Sequence, residues 1–143
     1  MPLLLDTDHL SVLQWEEQPA CDILRERLHR FPPDDIATSI VSFQEQVQGW
    51  LAFLNRARKP GQIVTAYAKL ESLWRWFLEM NVLSYRPEAQ TRFAELRRQC
   101  PRLKTLDLRI ASIALTTSST LLSRNLRDFR QVPGLSVEDW TIP

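Results

Sequence analysis

The sequence has few of the residues that build zinc sites and thiol chemistry. Its only cysteines, Cys21 and Cys100, are far apart and form no C-x-x-C pair, and its only histidines are His9 and His29. A zinc centre usually needs several such ligands at short spacing, and a cysteine nucleophile needs a histidine to activate it. Neither kind of site is expected.

Glycine, linkers and long apolar runs are also scarce. Three glycines and no Gly-Ser or Pro-rich linker predict a single domain over residues 1–143, without a repeat or a glycine-rich phosphate loop. No segment reaches about 18 apolar residues, and no basic stretch precedes an apolar leader. We therefore expect a cytoplasmic protein with reduced thiols and no membrane association.

The chain has no large excess of positive or negative charge. Eighteen Lys and Arg against 17 Asp and Glu leave a formal charge of +1, so no global field attracts nucleic acid. Any such binding must come from local basic patches, although runs of this kind are commonly solvated helix faces. The candidate patches contain Arg97, Arg98, Arg102 and Lys104, and then Arg124, Arg127 and Arg130.

What is present is an alternation of short apolar strands and amphipathic helices. Strands are predicted at LLL, DIATS, NVLSY, STLLS and LSVEDW, and helices at ACDILRERLHRF, PEAQTRFAELRRQC and LDLRIASIALTT. Such alternation indicates an α/β fold, with a parallel sheet covered by helices on both faces.

Two long helices follow each other after the second strand and predict a helical hairpin. The first stripe contains Ile40, Phe43, Val47, Trp50, Leu51 and Leu54, and the second contains Ile63, Tyr67, Leu70, Trp74, Phe77 and Leu78. Phe53 and Trp76 fall off these stripes, which predicts that they face outward. Alternatively, they pack between the two helices.

Acidic residues follow the predicted strands, at the edge where open α/β sheets place their ligands. They are Asp6, Glu45, Asp107 and Asp128. Each has a structural alternative: Asp6 or Thr7 can cap a helix, Asp107 can favour a helix N-terminus, and Asp128 has capping spacing from Asn125. Periodicity places Glu45 opposite the apolar stripe, which predicts a solvent-exposed side chain.

If these carboxylates meet, they cannot all remain ionised without a counter-ion. Hard oxygen ligands favour Mg²⁺ or Mn²⁺. Such metals activate water for hydrolysis of phosphate esters and need no side-chain nucleophile.

Four segments in this order resemble the PIN-domain ribonucleases, most closely the VapC-type toxins of bacterial toxin-antitoxin pairs. They are LLLDTDHLS, SIVSFQEQVQG, DLRIASIA and SRNLRDF. The resemblance implies a three-layer α/β/α PIN-like domain, with a central parallel sheet and a protruding helical hairpin. It also implies a Mg²⁺-dependent (or Mn²⁺-dependent) endoribonuclease that is neutralised by an antitoxin.

The resemblance assigns roles to individual residues. Asp6, Glu45, Asp107 and Asp128 become catalytic metal ligands, and Asp8 becomes a secondary residue that orients the turn. Ser123 and Asn125 would support the acids or contact the scissile phosphate. Flanking phosphates would be neutralised by Arg102, Lys104, Arg109 and Arg124.

The implied partners are the RNA substrate, a cognate antitoxin and a second copy of the chain. An amphipathic antitoxin segment is expected to dock in a groove beside the helical hairpin, where outward-facing Phe53 and Trp76 would contact it.

Two alternatives belong to other functional classes. LLLDTD also fits the first motif of haloacid-dehalogenase-type phosphatases, in which Asp6 is the nucleophile and Asp8 a general acid. That family has Gly-Thr or a similar pair after the second acid, whereas this chain has His9 and Leu10. The other alternative is a PIN-like binding module without catalysis, in which the acids serve as helix caps.

Overall fold

The computed structural model describes residues 2–143, and five short strands in this range form one parallel sheet. The strand order is β3-β2-β1-β4-β5, so β1 lies at the centre. The strands are β1 (Leu3–Leu5), β2 (Ile36–Ser39), β3 (Asn81–Leu83), β4 (Thr120–Leu122) and β5 (Val137–Glu138). Each occurs where the sequence predicted a strand.

Seven α-helices connect these strands within the described range. They are α1 (Thr7–Trp15), α2 (Ala20–Leu28), α3 (Ile40–Arg56), α4 (Pro60–Leu78), α5 (Pro87–Gln99), α6 (Thr105–Thr116) and α7 (Leu126–Phe129). A 3₁₀ helix, Pro33–Asp35, precedes β2. Among the helices described, none is both long and apolar enough to span a membrane.

The central strands bury side chains on both faces of the sheet. Leu4 belongs to an apolar cluster with residues of α5 and α6. Leu3 and Leu5 point the other way, into a cluster with residues of α1, α2 and α4. Because successive side chains of a strand alternate between faces, the two clusters are separate helical layers on one sheet. The predicted three-layer α/β/α class is confirmed.

The predicted helical hairpin is also confirmed, since α3 and α4 pack against each other across a three-residue connection. The predicted buried face of α4 is wrong. Most of its stripe is exposed, namely Ile63, Tyr67, Trp74 and Leu78. The helix instead buries Ala66, Leu73 and Phe77. Both stripes have helical spacing, and the buried one includes Ala66, whose small side chain permits close approach of neighbouring elements.

The prediction that Phe53 of α3 and Trp76 of α4 face outward is also wrong. Both are half-buried, and Trp76 packs on the α1–α2 side of the core with its ring 5.5 Å from that of Phe77. The outward tryptophan on α4 is instead Trp74, which is 57% exposed, and Tyr67 of the same helix is 59% exposed. The buried face of α4 is shifted by about one residue from the predicted one, so Trp74 is exposed where burial was predicted and Trp76 is half-buried where exposure was predicted.

Candidate active site

Asp6 lies directly after β1 and is the N-cap residue of α1. Its Oδ1 accepts a hydrogen bond from the backbone N–H of Thr7 at 2.8 Å, which confirms the helix-cap interpretation. Its Oδ2 accepts a hydrogen bond from the hydroxyl of Ser123 at 2.7 Å, across the carboxyl end of β4. The carboxyl group is buried. Helix capping therefore occupies only Oδ1 of Asp6, and Oδ2 points toward the buried hydroxyl of Ser123.

The pKa of Asp6 is raised from 3.8 to about 7, chiefly by burial and next by the negative charge of Asp8. The hydrogen bonds from Ser123 and Thr7 favour the ionised form and lower the pKa, whereas Glu45 raises it slightly. A nearby cation would favour ionisation of this carboxyl group.

Glu45 lies in α3, whose N-cap is Ser39 at the end of β2. The hydroxyl of Thr7 donates to Glu45 Oε1 at 2.9 Å and so joins this helix to the turn after β1. Burial raises the pKa of Glu45, Thr7 lowers it, and the charges of Asp107 and Asp8 raise it. The prediction of a solvent-exposed Glu45 is wrong, because α1 packs against α3 and half-buries this side chain.

Asp107 lies in the first turn of α6, and Asp128 lies in α7 after β4. Burial raises the pKa of Asp107, Lys104 lowers it, and the charges of Asp128 and Asp8 raise it again. The predicted pairing of Asn125 with Asp128 is present, since the Asn125 amide donates to Asp128 Oδ2 at 3.1 Å. Both acids therefore reach the same edge of the sheet as Asp6.

The carboxylates form one electrostatic cluster at the carboxyl ends of β1, β2 and β4. Burial is the main cause of the raised pKa values of Asp6, Glu45 and Asp107, and the charges of neighbouring acids raise each of them further. Over residues 2–143, no three Asp, Glu, His or Cys side chains are arranged so that they could hold one metal ion.

The donor chemistry of the cluster nevertheless fits Mg²⁺ or Mn²⁺. Mg²⁺ commonly keeps several of its waters and is held by one or two carboxylates, so a three-residue cage is not required. A divalent cation would also offset the repulsion among these acids. The residues present are compatible with such an ion.

Asp8 is a site residue whose importance the sequence interpretation underestimated. Its Oδ2 accepts a hydrogen bond from the backbone N–H of Arg124 at 2.9 Å and lies 3.2 Å from the hydroxyl oxygen of Ser123. Its Oδ1 lies 2.7 Å from Nδ1 of His9. Asp8 thus joins α1 to the loop after β4, and the D-x-D spacing followed by His9 was the available signal.

The predicted basic residues lie in different surroundings. Lys104 lowers the pKa values of both Glu45 and Asp107, so its charge reaches the cluster. The guanidinium of Arg109 lies 5.3 Å from the ring centroid of Phe93. Arg102 is exposed in the loop between α5 and α6.

Arg124 contacts the C-terminal segment through its side chain. Its Nε donates to Thr141 Oγ1 at 3.0 Å, and its guanidinium lies 3.7 Å from a carboxylate oxygen of Glu17. The backbone N–H of Arg124 donates to Asp8 Oδ2, so this residue contacts the acidic site through its main chain.

A groove of about 520 Å³ lies between α1, α3 and α4. Its lining includes Trp15, Trp50, Phe53, Lys69 and Trp76. The ammonium group of Lys69 lies 3.8 Å from the ring centroid of Trp15, so the rim is cationic and the floor largely aromatic. The groove is therefore suited to an apolar segment with acidic flanks.

A family model described as PIN domain matches residues 3–135, which include all the acids of the cluster. Comparison with curated proteins gives no match. The structure of VapBC-1 from nontypeable Haemophilus influenzae is similar at a TM-score of 0.78 and 20% identity, covering 99% of this chain and 100% of that chain.

Two further solved structures are similar over nearly their whole length. VapBC2 from Rickettsia felis, bound to a DNA fragment from its promoter, has a TM-score of 0.72 and 21% identity, with 98% and 99% of the two chains covered. VapBC-5 from Mycobacterium tuberculosis, a member of the VapBC family of toxin-antitoxin systems, has a TM-score of 0.60 and 24% identity, with 99% and 100% covered. Similarity at these identities shows a shared fold.

Proposed function

Because the match over residues 3–135 shows that the chain belongs to the PIN domain family, we propose that it is a metal-dependent endoribonuclease toxin of the VapC type. The observation that carries this proposal is the cluster of Asp6, Glu45 and Asp107, whose carboxyl groups all have raised pKa values at one edge of the sheet. Such a cluster favours a divalent cation and suits hydrolysis of a phosphodiester.

Asp6, Glu45, Asp107 and, on the same edge, Asp128 would hold Mg²⁺ or Mn²⁺ through one or two direct carboxylate contacts and through the waters that the ion keeps. When bound, the metal supplies a water of lowered pKa and stabilises the leaving oxygen. Thr7 orients Glu45 through its hydroxyl. The cluster requires no covalent intermediate, because water is the nucleophile.

Ser123 supports the acids from the β4 side of the site. Its hydroxyl lies within hydrogen-bonding distance of both Asp6 and Asp8, and its oxygen accepts the backbone N–H of Asn125 at 3.0 Å. Lys104, whose charge reaches Glu45 and Asp107, is the basic residue best placed to neutralise a flanking phosphate. Salt should therefore weaken RNA binding.

The phosphatase alternative is poorly supported by the surroundings of Asp8. A general acid must hold a proton and reach the leaving group. Both oxygens of Asp8 already lie against donors of this chain, namely His9, Ser123 and the Arg124 backbone.

The first test is cleavage of a set of synthetic single-stranded RNAs with Mg²⁺ or Mn²⁺. We expect cleavage by the wild-type chain and its loss on addition of EDTA, because the water needs a metal to ionise. Asp107→Asn should abolish cleavage, while Asp34→Asn, at an exposed acid remote in sequence from the cluster, should not. Cleavage that survives EDTA would contradict the mechanism, and no wild-type cleavage with either metal would favour the non-catalytic binding module.

We further propose that the groove between α1, α3 and α4 binds an amphipathic segment of the cognate antitoxin. The similar structures are of toxin-antitoxin systems, and the groove has an aromatic floor suited to helix-in-groove docking. An antitoxin arginine that extended from this groove to the carboxylates would oppose metal binding.

The second proposed partner is another copy of this chain, bound through the exposed face of α4. The face contains Ile63, Tyr67, Trp74 and Leu78, all at least 40% exposed. A two-fold interface places a patch against itself, which suits an exposed apolar stripe. Homodimerisation would cover this stripe and leave the groove open.

A further inference from the structure

His9 is fully buried in the first turns of α1, and both of its ring nitrogens have partners. Nε2 accepts a hydrogen bond from the backbone N–H of Trp140 at 3.1 Å. Because a backbone N–H can only donate, Nε2 carries no hydrogen in this arrangement. The hydrogen of the neutral ring is then on Nδ1, which donates to Asp8 Oδ1 at 2.7 Å.

A second connection joins the same C-terminal segment to the other oxygen of Asp8. Asp139 Oδ1 accepts the backbone N–H of Thr141 at 2.8 Å and its hydroxyl at 2.6 Å. Thr141 Oγ1 accepts from Arg124 Nε at 3.0 Å, and the Arg124 backbone N–H donates to Asp8 Oδ2 at 2.9 Å. Both oxygens of Asp8 are therefore tied to residues 139–141.

We propose that His9 is a positioning residue, held in its Nδ1–H tautomer by the Trp140 backbone, and that it fixes Asp8 against Ser123 and Asp6. The C-terminal segment 139–141 is then part of the framework of the active site. This inference rests on the proposed function for its catalytic consequence, although the tautomer and the metal affinity can be measured without RNA.

Packing alone does not account for a histidine at this position. A buried polar ring costs free energy unless its nitrogens are bonded, and an apolar side chain of similar size would avoid that cost. The ring of Trp140 has contacts of its own, since it lies 5.4 Å from the ring of Phe31 and 4.8 Å from the guanidinium carbon of Arg27. His9 therefore accepts the backbone N–H of Trp140 through Nε2 and holds the carboxylate of Asp8 through Nδ1.

The tautomer can be tested on the unmodified protein. Long-range ¹H–¹⁵N correlation spectra of the metal-free chain should show His9 with a protonated Nδ1 and an unprotonated Nε2. The chain has only one other histidine, the exposed His29, so a His29→Gln variant assigns the signals and serves as the matched control. A protonated Nε2 on neutral His9 would overturn the proposal.

Two substitutions separate the role of Nδ1 from the role of Nε2. His9→Asn retains a donor near the position of Nδ1, and His9→Gln retains an acceptor near the position of Nε2. Loss of a supporting partner commonly costs about 10–100-fold in metal affinity or activity. We expect His9→Gln to lower the affinity for Mn²⁺ and kcat by such a factor, with KM for RNA unchanged. His9→Asn should keep most of the wild-type Mn²⁺ affinity and most of the wild-type kcat.

The outcomes distinguish this inference from the proposed function. If the wild type cleaves RNA and folded His9→Gln and His9→Asn behave alike, the inference fails and the function stands. If no RNA is cleaved but calorimetry shows the difference in Mn²⁺ affinity, the inference stands and the function fails. If neither variant folds, the spectrum of the wild-type chain still decides the tautomer and, with it, the proposal.

Discussion

At the scale of the residue, the carboxyl group of Asp6 reduces the stability of the folded protein. Its pKa is about 7 in the fold against 3.8 for an unperturbed group. Between these values the folded state keeps a proton that the unfolded state has lost, so stability falls as pH rises through this window. The difference corresponds to roughly 4 kcal/mol above pH 7. Such a cost is expected of a carboxylate used to bind a cation.

Asp6→Asn should therefore stabilise the fold while abolishing RNA cleavage. The amide has nearly the shape of the protonated acid but carries no charge to bury. We expect a gain of a few kcal/mol in the free energy of unfolding at pH 8, shrinking toward zero below pH 4. Urea denaturation across this pH range measures it, with Asp34→Asn as control. An equal effect at both pH values would contradict the raised pKa of Asp6.

Metal affinity should depend on pH through the same group. Binding a cation displaces the proton from Asp6, so the affinity for Mn²⁺ should fall by about tenfold for each pH unit below 7. Above the pKa of Asp6 the dependence should level off. Calorimetry between pH 5.5 and 8 measures the profile, and the dependence should weaken in Asp6→Asn. A flat wild-type profile would show that Asp6 holds no metal.

At the scale of the element, the α3–α4 hairpin presents two different surfaces. Trp76 lies on the groove side, half-buried among apolar residues of the α1–α2 layer. Trp74 lies on the exposed stripe with Tyr67 and Leu78. Residues two apart on a helix point about 200° apart, so one helix can serve two partners without competition between them.

Substitution of the two tryptophans should separate the two proposed interfaces. Trp76→Glu should strongly weaken binding of the antitoxin encoded beside this chain, because a carboxylate would be buried in an aromatic groove. Trp74→Glu should instead dissociate the homodimer and leave the antitoxin affinity unchanged. Calorimetry and sedimentation measure the two effects.

The partial burial of Trp76 requires a check that the variant folds. Lys69→Glu, at the rim of the same groove, should weaken antitoxin binding without disturbing the core. Unchanged antitoxin affinity in both folded variants would refute this placement of the interface. A Trp74→Glu chain that remains dimeric would show that the exposed stripe of α4 is not the contact.

At the scale of the whole molecule, the parallel sheet brings together acids that are far apart in sequence. Thr7 and Glu45 are 38 residues apart and share a hydrogen bond, and Asp6 and Ser123 are 117 apart and share another. All parallel strands end at the same edge, so a residue placed after each strand reaches one crevice. A metal ion bound in that crevice would therefore couple α1, α3, α6 and the β4 loop.

Saturating Mn²⁺ should stabilise the whole fold at pH 8. A ligand that binds only the folded state adds about 2.7 kcal/mol at a concentration 100 times its Kd. The melting temperature should rise with Mn²⁺ at pH 8 and much less at pH 5, where Asp6 is protonated. Asp107→Asn should show little increase at either pH. An equal increase in Asp107→Asn and the wild type would place the ion elsewhere.

Much of the fold can be predicted from local patterns in the sequence. The leucine triplet of β1, the apolar segment at β4 and the amphipathic helices between them identify an alternating α/β fold, because burial patterns repeat with the period of each element. The resemblance of the four acid-bearing segments then selected Asp6, Glu45, Asp107 and Asp128 as candidates. The separation of the core into two layers follows from this alternation of strands and helices, whereas the strand order β3-β2-β1-β4-β5 came only from the tertiary structure.

Tertiary packing decided which helix faces are buried and which distant residues are in contact, and periodicity could predict neither. Glu45 is half-buried because α1 packs against α3, and Trp74 rather than Trp76 is outward because α4 buries the stripe that includes Ala66. Asp8 and His9 gained their partners only when residues 123–124 and 139–140 folded against α1. A sequence pattern reports how one element divides its own faces, whereas contacts between distant segments depend on which faces the other elements leave open.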